Sequence, residues 1–490
     1  MPTILGAGDS SSGYDIENSL VFNDGDKHYL QRNFDSSGSR TTFTVSLWVK
    51  RCEIGSTNPL FGAGPSNGGQ CSLIFDSSNR LQFREYNTTD NAEVINLLTS
   101  GRFEDITAWY HIVVAIDTTQ STASNRGKIY VNGQLADLET ASHADQNKEL
   151  LVNSTANTAR FWIANQTYSD TSTTFDGYLS EIYFINNSAK APTDFGETDI
   201  NGVWIPKDAK DDLTFGTNGF YLEFKQTGTS QNSSGIGADT SGEDHHYAIA
   251  TNNNALDEYD VMTDTPTNNF PTWNFLQQNQ ADPITAFGQG HLSVTEGSNG
   301  DWSTCAATQA VANGKWYWEV KISNLNGSVM PGVLRQAYAS TLLAKSSSAY
   351  PGADSGDLSF GYRENGIFYF NGSTDSGNTS FTNDTLMFAL DMDNGAIYTG
   401  KNGTWNDSGD PTSAGSKTGA SYTGISAGEF YSPSTSMSSN DVDCILNAGQ
   451  SNGVNQISSA NADANGHGAF EYGVPSGYFA ICTKNIAVHG

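Results

Sequence analysis

Two neighbouring stretches indicate how this chain folds: Trp109-Tyr-His-Ile-Val-Val-Ala-Ile-Asp117 and Lys128-Ile-Tyr-Val-Asn-Gly133. The second half of the chain has a matching pair, Lys315-Trp-Tyr-Trp-Glu-Val320 and Ile367-Phe-Tyr-Phe-Asn-Gly372. In both pairs the last strand-like run ends in Asn-Gly, and these two residues tolerate the positive φ of a tight hairpin turn. We therefore predict an all-β chain of two antiparallel β-sandwiches in tandem, an architecture that more often binds than catalyses.

Strand-like runs recur at short intervals along the 490 residues. In the clearest of them, Phe43, Val45, Leu47 and Val49 fall on one face at period two. The only helical candidate is 333–345, which has no convincing capping residue. The predicted organisation is an N-terminal arm (1–18), a first sandwich (19–190), a connector with extra strands (191–265) and a second sandwich (266–490).

The formal net charge is −29, from 24 basic and 53 acidic residues. Binding to a phosphate backbone needs clustered Lys and Arg, so we expect no nucleic-acid partner. The ordinary meaning of this charge is solubility, and weak Ca²⁺ binding by acidic loops is the sharper alternative. No apolar run approaches the ~18 residues of a transmembrane helix, and the N-terminus lacks the basic start of a signal peptide. We therefore expect neither membrane insertion nor signal-directed export.

The five cysteines, an odd number, include no Cys-x-x-Cys pair. A disulfide framework or a zinc site is therefore not expected. We predict that they are buried free thiols of a protein that folds in a reducing cytoplasm.

Several segments of residues 19–190 together resemble the concanavalin-A-like, laminin-G-type jelly roll. They are Ser19-Leu-Val-Phe22, residues 43–48, Trp109-Tyr-His-Ile-Val-Val114, Lys128-Ile-Tyr-Val-Asn-Gly133 and Phe175-Asp-Gly-Tyr-Leu-Ser-Glu-Ile182. Residues from about 285 to 487 resemble a SPRY-type sandwich, through Gly314-Lys-Trp-Tyr-Trp-Glu-Val320, Phe360-Gly-Tyr362, Asp391-Met-Asp-Asn-Gly395 and Phe470-Glu-Tyr-Gly-Val-Pro-Ser-Gly-Tyr478. Likeness of fold does not fix the ligand.

Three further segments are similar to tandem proteins of tailed bacteriophages, especially marine ones. They are the opening Leu5-Gly-Ala-Gly8 with Gly13-Tyr-Asp-Ile-Glu-Asn-Ser-Leu20, the join Asp264-Thr-Pro-Thr-Asn-Asn-Phe270, and Lys401-Asn-Gly-Thr-Trp-Asn-Asp-Ser-Gly-Asp-Pro411. The resemblance implies a virion surface protein, made in the host cytoplasm, that acts as a tail fibre, spike or decoration. Its expected partners are other virion proteins, held through the N-terminal arm, and a glycan or protein of the host surface.

Four functions remain open at this point. The first is non-enzymatic adhesion of a virion to host glycans, and the second is a depolymerase that cuts surface polysaccharide. The third is a purely structural capsid or tail decoration, and the fourth is a cellular adhesin that leaves the cell without a signal peptide. A symmetric homo-oligomer, with a trimer as the working guess, fits all virion roles, although no heptad repeat enforces one.

Catalytic motifs are the feature that separates adhesion from depolymerisation. Glycan cleavage needs two carboxylates across the scissile bond. The nearest match to the glucanase pattern Glu-x-Asp-x-x-Glu is Glu258-Tyr-Asp260-Val-Met-Thr-Asp264, which lacks the final Glu and lies in the connector. No Gly-x-Ser-x-Gly elbow, P-loop or dinucleotide fingerprint occurs, so we assign no catalytic residue and expect a non-enzyme.

Two kinds of candidate metal ligand occur in the sequence. His245 and His246 follow acidic residues, but no second histidine cluster completes a site, and a polar turn is the simpler interpretation. Alternating oxygens in two turns suit Ca²⁺, although neither turn reaches the EF-hand pattern. The weak calcium candidates in these turns are Asp24, Asp26, Asp391 and Asp393.

Aromatic side chains in turn-rich segments are the candidate glycan-binding residues. A sugar ring offers both C–H patches and hydroxyl groups, so exposed rings beside polar groups can bind it. For any single ring a plain packing role remains the alternative. The candidates are Tyr168, Trp204, Trp273, Trp302 and Trp405.

Overall fold

The computed structural model describes residues 13–33, 36–66, 69–87, 92–155, 159–166, 173–250, 255–296, 301–438, 441–450, 457 and 459–490. Strands make up 43% of it and helices 8%. The chain divides into two compact units, Ser10–Thr267 and Asn268–Gly490, called here the N-terminal and C-terminal units. Each unit is an antiparallel β-sandwich, so the predicted fold class of two sandwiches in tandem is confirmed.

The N-terminal unit contains many short strands and a few single turns of 3₁₀-helix. The turns are Ala123–Asn125, Pro192–Asp194, Lys210–Asp212 and Glu258–Asp260. The strands are β1 (Ser19–Phe22), β2 (Leu30–Asn33), β3 (Thr42–Arg51), β4 (Asn58–Gly64), β5 (Gly69–Phe75), β6 (Arg80–Asn87), β7 (Ala92–Arg102), β8 (Trp109–Asp117), β9 (Gly127–Val131), β10 (Gln134–Leu135), β11 (Leu138–Ser142), β12 (Arg160–Ile163), β13 (Gly177–Asn186), β14 (Gly196–Thr198), β15 (Trp204–Pro206), β16 (Phe220–Leu222), β17 (Ala248–Ile249) and β18 (Val261–Met262).

Two large sheets form this sandwich. The first has the order β10-β9-β8-β3-β13-β1-β18, with β16 also paired to β13, and the second has the order β11-β7-β6-β5-β4-β12-β2-β17. Phe43, Val45, Leu47 and Val49 of β3 are all at most 1% exposed and lie in the core between the sheets. The period-two pattern of β3 therefore predicted its core face correctly.

The segment after residue 190 completes both sheets of this unit. Strands β16 and β18 extend the first sheet beside β13 and β1, and β17 extends the second sheet beside β2. The same segment covers the outer face of the first sheet, where Phe195, Phe215 and Tyr221 pack with Tyr183 in a second apolar layer. This layer explains why the alternate residues of β3, such as Ser46 and Trp48, are buried as well.

The C-terminal unit has a second set of strands and two helices. Its 3₁₀ turns are Asn406–Ser408 and Pro411–Ser416. The helices are α1 (Gln336–Leu343) and α2 (Thr483–His489). The strands are β19 (Trp273–Gln278), β20 (Ala286–Gly288), β21 (Ser293–Glu296), β22 (Ser303–Ala307), β23 (Lys315–Leu325), β24 (Ser328–Arg335), β25 (Phe360–Arg363), β26 (Ile367–Phe370), β27 (Ser373–Ser376), β28 (Thr385–Asp391), β29 (Ala396–Lys401), β30 (Thr404–Trp405), β31 (Tyr431–Ser438), β32 (Val442–Asn447) and β33 (Phe479–Ala480).

The sheets of this unit have the orders β19-β22-β31-β24-β25-β26-β27 and β20-β21-β32-β23-β28-β29-β30. Strand β33 adds to β23 as a parallel neighbour, whereas the pairs within both orders are antiparallel. The core between the sheets includes Trp316, Trp318 and Phe388, and the rings of Trp318 and Phe388 stack at 5.2 Å. The Trp316 run that indicated a sandwich in the sequence therefore forms its centre.

The helical prediction for 333–345 is partly right. Residues up to Arg335 continue β24, and α1 occupies Gln336–Leu343, where Leu342 and Leu343 pack on the outer face of the sheet. The C-terminal helix α2 was not predicted. Among the described residues, no helix is long and apolar enough to cross a membrane.

Both Asn-Gly pairs form the predicted tight hairpins. Asn132 and Gly133 have φ of 47° and 77° and connect β9 to β10, where Val131 pairs with Gln134. Asn371 and Gly372 have φ of 51° and 70° and connect β26 to β27 in the same way. The two-residue loops have the positive φ that this turn type requires.

All five cysteines are buried and free, as predicted. Their thiols are removed from solvent inside the two sandwiches, and burial raises the pKa of Cys444 and of Cys482 to about 12. A thiol that stays protonated is a poor nucleophile, so these side chains serve packing.

Candidate functional site

A polar cleft of about 410 Å³ opens on the second sheet of the N-terminal unit. Its floor comes from the adjacent strands β12, β2 and β17, and its wall from the chain between β16 and β17. Only Ala248 among the lining residues is apolar. The lining residues are Gln31, Arg32, Asn33, Arg160, Gln231, Asp244, His246 and Ala248.

Arg160 organises the floor of the cleft. It pairs with Asn33 in the strand register, so both side chains project from the same face of the sheet. Its Nε donates to Asn33 Oδ1 at 2.8 Å, and one terminal nitrogen donates to Gln31 Oε1, also at 2.8 Å. Because both amide oxygens accept from the guanidinium, the amide nitrogens of Gln31 and Asn33 remain as donors beside it.

Asp239 fixes the wall of the cleft from behind. Its carboxylate accepts from the backbone nitrogens of Tyr221, Ser241 and His245 at 2.8–2.9 Å. Its own backbone nitrogen donates to His246 Nδ1 at 3.0 Å. A neutral His246 therefore carries its proton on Nε2, the nitrogen that lies 3.9 Å from Asp244 Oδ1.

The charge of the cleft differs from that of the whole chain. The protein carries a net charge of −29, yet the cleft sets the guanidinium of Arg160 against the single carboxylate of Asp244, while Arg32 is buried and projects from the opposite face of β2. A guanidinium presents planar paired donors that match carboxylate, sulfate and phosphate oxygens. The arrangement therefore suits a hydroxyl-rich ligand that carries an anionic group.

The two adjacent histidines point to different partners. His245 Nδ1 lies 2.8 Å from the Gly219 carbonyl oxygen, to which it donates, whereas His246 lines the cleft. The pair does not converge on one point. Among the described residues, no group of three or more His, Cys, Asp and Glu side chains could by itself hold a metal ion.

Trp204, one of the five aromatic candidates, is half-buried and belongs to the outer layer of the first sheet. Its Nε1 donates to His111 Nδ1 at 3.0 Å, and its ring stacks on that imidazole at 5.9 Å. Trp48 stacks on His111 at 4.8 Å. Burial lowers the pKa of His111 to about 3, so this imidazole is neutral between two indoles. Tyr168 lies outside the described residues.

The prediction that Trp273 exposes its ring is wrong. Trp273 is the first residue of β19 and is 0% exposed, in the core of the C-terminal unit. Trp405 is half-buried, and its ring lies 6.5 Å from that of Tyr317 on the outer face of the other sheet. The turn-like neighbours of these tryptophans suggested loops, but Trp273 lies in a paired strand that buries its ring, and Trp405 is partly covered by the outer-face cluster around Tyr317.

Trp302 is the aromatic candidate with the most suitable neighbours. It is half-buried, its ring lies 5.3 Å from that of Tyr350, and the Arg363 guanidinium lies 5.2 Å from its centre. The Tyr350 ring in turn lies 5.2 Å from that of Tyr369. Half-buried rings beside a guanidinium can stack on a sugar, so a role for Trp302 in binding stays a prediction.

The calcium candidates differ in how their oxygens are used. Asp391 is 0% exposed and pairs with Lys315 at 3.0 Å, while it also accepts from Asn394. Asp393 Oδ1 accepts from the Gly314 backbone nitrogen at 3.0 Å. The Lys315 ammonium already pairs with a carboxylate of this turn, so the ion pair and the hydrogen bonds of the turn explain its acidic residues without Ca²⁺. In the other turn, Asp26 accepts from Asn23 at 2.8 Å and Asp24 is exposed.

The acidic motif of the connector is structural. Asp264 forms an ion pair with Lys50 at 2.7 Å, and both side chains are 0% exposed. Asp260 accepts from the backbone nitrogen of Asp257 at 2.8 Å, and burial raises its pKa to about 7. Asp264 is thus buried in a different environment from Glu258 and Asp260, which lie in a 3₁₀ turn.

Sequence reasoning did not identify the cleft. Arg160 and Gln31 are 129 positions apart, and the wall residues come from the connector. In the sequence, polar residues of short strands such as β2 and β12 cannot be told from ordinary solvent-facing residues. The weak signal was alternation, since Gln31 and Asn33 flank the buried Arg32.

The comparisons with known proteins agree with this architecture in part of the chain. Residues 24–192 match the family model described as the concanavalin A-like lectin/glucanases superfamily (Laminin_G_3). The matched segment lies within the N-terminal unit and contains the strands that form the floor of the cleft together with β17. No curated protein is similar enough to this chain to count as a match.

Three solved structures are among those that this chain matches. The SPRY domain of human HERC1 is 22% identical, with 36% of this chain and 96% of that one covered and a TM-score of 0.27. A native heptameric SAP-like pentraxin from Limulus polyphemus is 15% identical, with 36% and 80% covered and a TM-score of 0.27. Domain 4 of AbnA, a GH43 extracellular arabinanase from Geobacillus stearothermophilus in complex with arabinotriose, is 16% identical, with 38% and 82% covered and a TM-score of 0.26. These TM-scores are too low to transfer a function.

Proposed function

We propose that this protein is a non-enzymatic glycan-binding protein whose N-terminal unit binds acidic glycans in the polar cleft. The observation that carries the proposal is the Arg160 network, in which one guanidinium orients two amides on the floor of a cleft. Sugar hydroxyl groups pair with amides, and a uronic, sulfated or phosphorylated group pairs with guanidinium. The match of residues 24–192 to the lectin/glucanase superfamily supports a carbohydrate ligand.

Binding without cleavage is the simpler form of this proposal. The cleft contains a single carboxylate, Asp244, whereas glycoside hydrolysis in most families uses a pair. The superfamily description also includes glucanases, so a polysaccharide depolymerase is the alternative function. Sizing of the glycan after incubation separates the two, because only a depolymerase shortens it.

The biological setting is a separate proposal that rests on the sequence resemblance. In it the protein is a surface component of a tailed-phage virion, a tail fibre, spike or decoration, and adheres to host-surface glycans. The SPRY-like C-terminal unit would be a second binding or structural module, and residues 1–18 would attach the protein to the particle. A symmetric homo-oligomer, such as a trimer, would raise weak glycan affinity through multivalency.

The first experiment is a screen of the intact protein against neutral and acidic bacterial surface glycans, with product sizing in the same wells. We expect retention of acidic glycans without shortening. Shortened glycan would contradict the non-enzymatic function, and equal retention of neutral and acidic glycans would contradict recognition of an anionic group by Arg160. A lack of any binding would favour a structural decoration.

A further inference from the structure

We infer that the polar cleft selects zwitterionic glycans, in which an anionic group and a protonated amine lie on one sugar or on neighbouring sugars. This inference rests on the proposed binding of acidic glycans in the cleft and narrows the class of ligand. The feature that carries it is a division of the lining groups. The floor presents donors and a cation, whereas the wall presents acceptors and an anion.

The floor of the cleft suits the anionic group of the ligand. Arg160 donates to the side-chain oxygens of Gln31 and Asn33, and a guanidinium has no acceptor. These two bonds use an oxygen of each amide, so Gln31 and Asn33 add their NH₂ groups to the floor as donors. A carboxylate, sulfate or phosphate accepts from such groups, whereas an ammonium group is repelled by the guanidinium.

The wall of the cleft suits the amine. Gln231 Nε2 donates to the His246 carbonyl oxygen at 2.9 Å, so the amide oxygen of Gln231 remains as an acceptor in the lining. Asp244 adds a carboxylate whose side chain is 90% exposed. An ammonium group has three donors and no acceptor, so it matches both side chains.

The carboxylate of Asp244 makes a purely anionic ligand a poor fit. Among the described residues, His246 is the only basic side chain within ion-pair distance of Asp244, and its Nε2 lies 3.9 Å from Oδ1. This distance is too long for a hydrogen bond. An anion bound to Arg160 would bring a second negative charge into the cleft, and Asp244 would oppose it. A ligand that also carries an amine offsets this repulsion and pairs with the carboxylate.

The turn that carries Asp244 is held in place before a ligand arrives. The Asp239 carboxylate accepts from the backbone nitrogens of Ser241 and His245, on either side of Asp244. Order in the free protein lowers the entropy cost of binding. The cleft volume of about 410 Å³ lies within the range of roughly 300–1,000 Å³ typical of small-ligand sites, so a short glycan segment can contact floor and wall together.

The test compares two forms of one polysaccharide by calorimetric titration of the intact protein, at a pH where free amines are protonated. The first form alternates glucuronic acid with glucosamine, and the second is the same polymer after complete N-acetylation. We expect native protein to bind the amine form more tightly. The net charge of −29 also favours the less acidic form, so the readout is the ratio of the two affinities in matched variants.

Asp244→Asn should reduce this ratio by about three- to tenfold, because an amide pairs with an ammonium group more weakly than a carboxylate does. The matched control is Glu243→Gln, which removes the same charge from the same turn but does not line the cleft. Its ratio should equal that of native protein. A native ratio in Asp244→Asn, or an equal reduction in both variants, would overturn the inference. Both side chains are exposed, so neither variant disturbs the core.

Failure of this selectivity is distinguishable from failure of acidic-glycan binding. If Asp244→Asn keeps the native ratio while Arg160→Ala loses affinity for both forms, the cleft binds acidic glycans without selecting zwitterionic ones. If native protein binds neither form, both the selectivity and the binding of acidic glycans in the cleft are contradicted.

Discussion

Lys50 and Asp264 form an ion pair at 2.7 Å with both side chains fully buried. Lys50 lies in β3 at the centre of the first sheet, and Asp264 lies 214 positions later, just before the end of the N-terminal unit. Trp109 Nε1 also donates to Asp264, and Ser19 Oγ donates to the Asp264 carbonyl oxygen. The last segment of the unit is therefore tied to the sheet by a satisfied buried charge.

Removal of one partner of this pair should destabilise the N-terminal unit strongly. Asp264→Ala leaves the Lys50 ammonium buried without its counter-charge, and the expected loss is about 3–5 kcal/mol in the free energy of unfolding. Chemical denaturation measures it. The control is Lys207→Met at the exposed pair Lys207–Asp212, where the expected loss is about 0–1 kcal/mol. Equal losses at both sites would show that the buried pair has no special role.

Glu181 should make stability fall as pH rises. Its carboxylate accepts from Tyr14, Tyr183 and Tyr221, yet burial raises its pKa from 4.5 to about 7. The folded state thus binds more protons than the unfolded state between these values, so this contribution is full below pH 4.5 and is lost as pH rises to about 7.

The measurement is the free energy of unfolding from pH 4.5 to 8 for native protein, Glu181→Gln and the exposed control Glu243→Gln. Native protein should lose on the order of 3 kcal/mol relative to Glu181→Gln across the titration. Glu243→Gln should follow the native profile, since Glu243 is exposed. Parallel profiles for all three proteins would mean that folding does not raise the pKa of Glu181.

The His111 imidazole should remain neutral between about pH 5 and pH 8. Nδ1 accepts from Trp204, so the proton lies on Nε2, which donates to Ser46 Oγ at 2.9 Å. With a pKa near 3, its imidazole ¹⁵N shifts should be constant between about pH 5 and pH 8, whereas in denaturant they should titrate near 6.5. If the native-state imidazole of His111 titrated in this range, solvent or a ligand would have to contact it in place of the Trp204 stack.

A side chain at Gly133 should destabilise the protein, because it would collide with the Trp204 ring. Its φ is +77°, and a Cβ at this position would lie 2.4 Å from the Trp204 ring. Gly202 has a similar φ of +82° with open space around it. Gly202→Ala should therefore cost about 1 kcal/mol, from backbone strain alone, and Gly133→Ala clearly more in thermal or chemical unfolding. Equal costs would mean that the ring moves aside freely.

The sequence predicted the sheets better than the site. Phe43 to Val49 identified the core face of β3, and Asn132-Gly133 identified a hairpin, because both signals are local. Trp273 was misassigned because its turn-like neighbours do not reveal that β19 pairs with β22 and buries the ring. Local composition indicates the backbone conformation but does not show whether a side chain is buried or exposed.

The cleft depends on contacts between distant segments. Arg160 and Gln31 meet because β12 pairs with β2, and His246 reaches them because β17 adds to the same edge. Strand pairing across a sandwich is decided by the whole set of packed faces, and no single strand encodes its neighbour.

The most direct test of the central claim compares native protein, Arg160→Ala and Arg102→Ala in binding to the acidic glycan that the screen retains best. Arg102 is an exposed arginine of the same sheet, in β7, far along the strand order from β12. We predict that Arg160→Ala loses about ten- to a hundredfold in affinity while Arg102→Ala keeps native affinity. Unchanged affinity of Arg160→Ala, with the fold intact by circular dichroism, would contradict binding in the polar cleft.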